Sequence, residues 1–298
     1  MIIKPCLAAL AALSLAGAAL AQTSNVASRV PAPVRKAGVL RVGTSPTYPP
    51  LEYKDPMTQK LQGLDIDLVD EIGRRLGLGV EWHELSFDQL INSLDTGRID
   101  MGASGMTDIP QRREKIDFVD YFSTGAQIFT SAANEAKLKN AEDVCGKAVA
   151  VNRNGIFYIR LQDFNKNVCI AKGLPEVKYS LTDKTADARL QIMQGRVVAA
   201  VMGVDAIRYM NEASASPDRG TFLLVGNPIA TDVAGFGFSK SGSALRDVVA
   251  DVVTSMMADG SYAKIFDKWQ LPYAKTAAVG INGQPRAKPA TAAVAPAK

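Results

Sequence analysis

A helix, a Gly-Arg stop and an apolar strand that ends in a glycine occur twice in this chain, about a hundred residues apart. In the first copy Phe87, Leu90, Ile91 and Leu94 recur at helical spacing, Gly97-Arg98 closes the turn, and "IDMGASG" follows. In the second, "ARLQIMQGRVVAAVMG" at 188–203 repeats the order around Gly195-Arg196. Setting Gly97 against Gly195 brings Gly105 opposite Gly203. Two such units, each inside its own run of strands and helices, predict two similar α/β lobes. Open α/β sheets take ligands beyond the carboxyl ends of their strands, where both glycines fall, so the cleft between the lobes is the expected site.

The connections fit two lobes joined twice. "VLRVGT" at 39–44 reads as a buried strand, and Leu64, Leu68, Ile72 and Leu76 as the buried stripe of a helix ended by "GLG". "STGAQIFTSAA" (123–133) is an extended run able to cross from the first lobe to the second, and residues 222–240 can cross back. Leu245, Val248, Val249, Val252, Met256, Ile265 and Trp269 then mark helices that return to the first lobe. The expected division is 38–131 with 226–273 for lobe one and 132–225 for lobe two, with a hinge at the double crossing. Residues 274–298, rich in Ala and Pro and without a periodic apolar pattern, are expected to be a disordered tail.

Residues 1–21 read as a signal peptide, with Lys4 at the charged start, an Ala/Leu run from Leu7 to Leu20, and Ala19-Leu20-Ala21 as the cleavage site before Gln22. The run is short for a membrane span, and Cys6 stands too early for a lipoprotein. The mature chain, with 22–37 as its lead-in, is therefore expected in the periplasm. Two cysteines remain, Cys145 and Cys169, an even number in an oxidising compartment, which predicts a structural disulfide. It would close a loop of about 25 residues and stabilise by roughly 3–4 kcal/mol on the chain-entropy model. Zinc would need more ligands than these two, and the one histidine, His83, is distant in sequence. The formal charge of +4 comes from the ends: residues 22–273 hold 29 basic and 30 acidic side chains, which gives no footprint for nucleic acid.

"ASGMTDIPQRREK" (103–115) carries the chemistry. Thr107 or Asp108 suits a helix N-cap, with Pro110 in the first turn, where its missing N–H costs nothing. A helix start offers unpaired N–H groups and partial positive charge. Ser104 adds a hydroxyl, Gly105 admits close approach to the backbone, and Arg112 can take a carboxylate with two parallel hydrogen bonds. Together these read as a carboxylate receptor, with Arg113 as a solvated neighbour.

Several stretches are similar to one family. "GLDIDLVDEIGRRL" (63–76), "LRVGTSPTYPPLEY", "SGMTDIPQRREKIDF" and "ADGSYAKIFDKW" resemble the signature helix, binding loop, carboxylate turn and C-terminal helix of the family 3 extracellular solute-binding proteins. Those are periplasmic amino-acid receptors of ABC importers, and the likeness covers about 38–273. The resemblance implies a two-lobed type II periplasmic binding protein, each lobe a mixed sheet flanked by helices, with two hinge strands. It implies that Tyr48 stacks over the ligand and Leu64 lines the same pocket. Gly105 N–H, Thr107 and Arg112 would hold a carboxylate, and the loop of Asn154, Gly155 and Ile156 with the region of Gly203 would close from lobe two.

The chain departs from the family pattern in lobe two. A Gly-Thr or Gly-Ser pair is replaced around Asn154, Gly155 and Ile156, and the Asp that pairs with a ligand ammonium is replaced by Gly203. Ser45 stands where receptors for basic amino acids tend to carry Asp, and Arg153 adds positive charge nearby. These changes predict poor binding of Lys, Arg and His and a weakened need for an α-ammonium, unless Asp205 substitutes for the missing Asp. The implied protein is a monomer that binds an amino acid or related small carboxylate by hinge closure and delivers it to an inner-membrane ABC permease. It needs no cofactor or metal. A dehydratase-like enzyme of the same fold is an alternative, although no nucleophile–base pair stands out. A ligand-sensing module for a signalling partner is another.

Overall fold

The computed structural model describes residues 26–286 apart from 154, 184, 213–215 and 217. The signal peptide assigned to residues 1–21 and the last part of the tail, 287–298, lie outside the described residues. Lobe one begins with helix α1 (Ala32–Ala37) and strand β1 (Val39–Thr44). A small antiparallel sheet follows, made of β2 (Thr47–Tyr48), β3 (Glu52–Lys54) and β4 (Leu61–Gln62). Then come α2 (Leu64–Leu76), β5 (Gly79–Glu84), α3 (Phe87–Asp95), β6 (Met101–Gly102) and the single turn α4 (Pro110–Arg113). The helical spacing of Leu64, Leu68, Ile72 and Leu76 has its expected result: all four are buried in α2, and Gly77 ends the helix in the left-handed conformation.

Strand β7 (Ile116–Ser131) leaves lobe one and enters lobe two without a break. At about 3.3 Å per residue its 16 residues reach roughly 50 Å, long enough to belong to both lobes. Lobe two comprises β8 (Ala148–Asn152), α5 (Ile156–Phe164), β9 (Lys178–Thr182), α6 (Thr185–Met193), β10 (Ala199–Gly203), α7 (Val204–Glu212) and β11 (Phe222–Leu224). Strand β12 (Ala230–Ser239) returns antiparallel to β7, from Ala230 opposite Ala126 to Ser239 opposite Ile116. Helices α8 (Ser243–Ala258) and α9 (Ser261–Lys268) then pack on lobe one.

One continuous sheet links the two lobes, its main path running β5-β1-β6-β12-β7-β10-β8-β9. Its outer pairs are parallel (β1 with β5 and β6; β8 with β9 and β10), and its centre, β12 with β7, is antiparallel. Each lobe buries both faces of its part of the sheet. In lobe one Leu40, Leu68, Phe236 and Val249 lie in one cluster, and Leu90, Met106 and Phe118 in another. In lobe two Val149, Leu161 and Val201 lie on one face, and Ala200, Ile207 and Phe222 on the other.

The two Gly-Arg units fold alike. Gly97 and Gly195 have φ of 68° and 67°, and in each turn the next two amides donate to one carbonyl, that of Ser93 or of Gln191. A side chain at either glycine would meet nothing within 4 Å, so the left-handed backbone alone explains them. Cys145 and Cys169 are joined within lobe two, the first after a short 3-10 turn and the second buried in a π-helical stretch after α5.

The expectation of a disordered tail from Ala274 is corrected over residues 275–286. Residues 275–286 form β13 (Lys275–Ile281) and β14 (Gln284–Pro285), a hairpin whose first strand pairs with β7. The Ala/Pro content hid it. Asn282 and Gly283 are its two turn residues, with φ of 52° and 74°, and Asn-Gly is the pair favoured in such turns. The capping expectation also changes: Ile109 occupies the N-cap of α4, without a side-chain cap, and Asp108 is turned to an ion pair with Arg113.

Candidate functional site

The lobes enclose a cavity of about 600 Å³. Lobe one contributes Ser45–Tyr48, Leu51, Glu52, Leu85–Asp88, Ser104, Gly105, Thr107 and Arg112, and lobe two contributes Asn152, Gly155–Phe157, Asp183 and Asp205. Phe122 and Thr124 come from the crossing strand β7. The sequence motif thus delivers Tyr48, Ser104, Gly105, Thr107, Arg112, Gly155, Ile156 and Asp205 to one space. Asn154 lies outside the described residues. Leu64 does not reach the cavity: it is fully buried in the lobe-one core. Gly203 is set just behind the lining.

Arg112 is the cation of the site. Its Nη1 donates to the Thr107 carbonyl at 2.9 Å, and its guanidinium carbon lies 5.0 Å from the centre of the Phe87 ring. Among the described residues it makes no ion pair, and burial lowers its pKa to about 10, against the opposing fields of Asp108 and Asp232. A buried guanidinium with donors left over is a strong receptor for a planar anion. Arg113, expected to be solvated, is instead ion-paired to the buried Asp108. Arg153 is likewise paired, with Asp183 at 2.8 Å.

The Gly105 amide is not free for a ligand carboxylate. It donates to Asp65 Oδ2 at 2.9 Å, while the Tyr121 hydroxyl donates to Asp65 Oδ1. Burial raises Asp65 to about 6 in spite of those bonds. Ser104 is also engaged, accepting from the Ser45 amide at 3.0 Å and donating to Glu52 Oε1 at 3.1 Å. These bonds fix the turn instead of presenting it. Arg112 keeps guanidinium donors for an anion, and Thr107 lines the cavity beside it.

The acidic end was only partly expected. Asp205, in the first turn of α7, is buried and lines the cavity. Its Oδ1 accepts from Thr124 Oγ1 at 2.5 Å and the Tyr48 hydroxyl is a further donor, whereas its buried Oδ2 has no partner among the described residues. Burial raises its pKa. A Cβ built on Gly203 would stand 2.6 Å from Asp205 Oδ1 and 2.3 Å from the Tyr48 hydroxyl. The Asp205 carboxylate thus occupies the volume a side chain at 203 would take, which is the placement that the alternative of Asp205 as substitute for the missing Asp requires.

Glu52 adds a further acidic group to the cavity. It is buried, lines the cavity, and has no partner for Oε2 among the described residues. Burial, then the nearby charge of Asp65, pushes its pKa well above the usual carboxylate range. No sequence signal marks it, because Ser104 and Asp65 reach it only through the fold.

Aromatic side chains also meet across the cleft. The Tyr48 ring faces Phe157 of lobe two at 6.4 Å between centres and 23° between planes. The hydroxyls of Tyr53 and Tyr209 are 2.8 Å apart. The lobes are therefore held closed.

A profile of the bacterial extracellular solute-binding proteins, family 3, matches residues 40–272. The chain is 31% identical to the L-cystine-binding protein TcyA of Bacillus subtilis over 80% of this chain and 83% of that one. It is 29% identical to the arginine-binding protein ArgT of Corynebacterium glutamicum, over 88% and 84%. Among solved structures it is similar to an ancestral arginine-binding protein bound to arginine, at 32% identity and a TM-score of 0.66, covering 78% of this chain and 98% of that one. It is also similar to the ancestral amino acid-binding protein AncCDT-1, a precursor of cyclohexadienyl dehydratase, at 29% identity and a TM-score of 0.69, covering 79% and 97%.

Proposed function

We propose, for a chain that belongs to the family 3 bacterial extracellular solute-binding proteins, that it is the amino-acid receptor of an ABC importer and takes the zwitterionic form of its ligand. One observation carries the ligand reading: the closed cavity sets the Arg112 guanidinium from lobe one, without an ion pair among the described residues, and an Asp205 oxygen from lobe two, without a partner among them, around the same space. An α-carboxylate answers the first and an α-ammonium the second. Burying either charge of the ligand alone would cost several kcal/mol, and the two protein charges remove that cost. Thr107, Gly155 and Ile156 complete the carboxylate end, where the first turn of α5 adds its partial positive charge.

Named relatives bind cystine and arginine, and one, PatH of Vibrio harveyi, is described as a putative amino-acid ABC transporter-binding protein. On this reading the mature chain, cut after Ala21, carries its cargo to an inner-membrane permease as a monomer, by binding and not by catalysis.

The test is a thermal-shift panel of L-amino acids, each beside its des-amino analogue. A ligand at 100 times Kd stabilises by about 2.7 kcal/mol. The amino acid is expected to stabilise and its des-amino partner not; equal stabilisation by both would remove Asp205 from the reading.

A further inference from the structure

The family match ends at residue 272, yet the chain continues as the β13–β14 hairpin, and that hairpin is built into the floor of the carboxylate turn. Asn282 spans two points of β7: its Oδ1 accepts from the Phe118 amide at 2.8 Å, and its Nδ2 donates to Asp117 Oδ1 at 3.0 Å. The Gly283 amide donates to Asp120 Oδ2 at 2.8 Å. Gly283 also carries the Arg113 guanidinium on its bare face, since a Cβ there would lie 2.3 Å from Nη2. Arg113 in turn holds Asp108 at 2.5 Å, and the Asp108 amide donates to Val233 of β12. The chain of contacts therefore runs from hairpin to Arg113, to Asp108, and to the turn that carries Thr107 and Arg112.

Asp108 and Asp120 stand within hydrogen-bond reach of each other. Each keeps one buried oxygen, Asp108 Oδ2 and Asp120 Oδ1, that receives no donor from the described residues. Two facing carboxylates with an orphan oxygen each are satisfied by one shared proton. We propose that the C-terminal hairpin is a strap that positions the carboxylate-binding turn, closed by a proton shared between Asp108 and Asp120. Its role in binding rests on the reading of Arg112 above; its existence does not.

The groups around Asp120 fix the direction of the pH effect. Asp108 and Arg113 face it from the turn, the Gly283 amide and Gly280 from the hairpin, and Gly235 from β12. Asp117, on the same strand, is neutralised by Lys240 and Arg246, each at 2.7 Å. Burial, and then the charge of Asp108, raises Asp120 to about 7. The Asp120–Asp108 contact of the strap is therefore closed below neutrality and loosens as pH rises through about 7, when Asp120 loses its proton.

Hydrogen exchange of the full mature chain tests this without any ligand, read on peptides covering 104–114 and corrected for intrinsic rates against β8 and β9. Protection there is expected to fall by at least about threefold between about pH 6 and pH 8.5 in the natural chain. Asp120→Asn, which donates as the protonated acid does, should abolish that fall, and Asn282→Ala should lower protection at both pH values while leaving lobe two unchanged. Persistence of the pH response in Asp120→Asn would overturn the shared proton. Full protection in Asn282→Ala would overturn the strap. A failed amino-acid panel would leave both results readable.

Discussion

Adjacent arginines divide the labour at the carboxylate turn. Arg112→Ala should cost about 2–5 kcal/mol of binding, the loss expected when a desolvated charge pair is broken. Arg113→Ala leaves buried Asp108 without its cation, so its loss belongs to thermal stability and only secondarily to affinity. Titration calorimetry beside thermal unfolding separates the two; equal losses of affinity would refute the assignment. Gly203→Ala is expected to abolish tight binding, because its Cβ would press on both the Tyr48 hydroxyl and Asp205 Oδ1. Since burial raises the pKa of Asp205, an ammonium that requires its ionised form should expel a proton from the fraction still protonated. Affinity then rises with pH through the pKa of Asp205 and levels off above it, and calorimetry in buffers of different ionisation enthalpy reads the released proton. Arg112 was legible because a proline-marked turn displays it; Glu52 and the Asp65–Gly105 bond were not, because their partners stand 52 and 40 residues away.

At the scale of elements, periodicity and punctuation were the legible part. The α2 stripe, the two Gly-Arg stops and the long crossing run at 123–133 each follow from local backbone preference or from burial on one face. Elements that depend on a distant surface were harder to read. The hairpin at 275–286 has few apolar residues of its own and forms because β7 offers an edge, although its Asn-Gly pair was a usable signal. The one-turn α4 keeps no side-chain cap because Ile109, which has no polar side chain, falls at its N-cap, while Asp108 is drawn to Arg113 and the Thr107 backbone is bridged to Ala234 of β12. The Cys145–Cys169 link ties the strand-to-helix layer of lobe two. Cys169→Ala with Cys145→Ala should lower stability by roughly 3–4 kcal/mol in urea unfolding, and a non-reduced digest should yield one linked peptide pair. Two free thiols in protein exported to the periplasm would contradict the link.

For the whole molecule, the double crossing of β7 and β12 makes opening a rotation about two paired strands, with the bulge between Ala234 and Gly235 as the place where the ladder yields. Closure brings Arg112 and Asp205 to one ligand, so the ligand gains its second charge partner only in the closed form, and that difference drives the population shift. Small-angle scattering should show a smaller radius of gyration with the stabilising amino acid than without it. Tyr53 offers a sharper test, because its hydroxyl meets Tyr209 across the cleft but does not line the ligand cavity. Tyr53→Phe removes one hydrogen bond of the closed form, worth about 0.5–1.5 kcal/mol, and leaves every ligand contact in place. Affinity is then expected to fall by roughly two- to tenfold, since apparent Kd scales with the fraction of competent molecules when that fraction is small. The scattering profile at ligand saturation should stay that of the natural chain. An unchanged affinity would mean that this bond does not bias closure, and an altered saturated profile would mean that Tyr53 shapes the closed form itself.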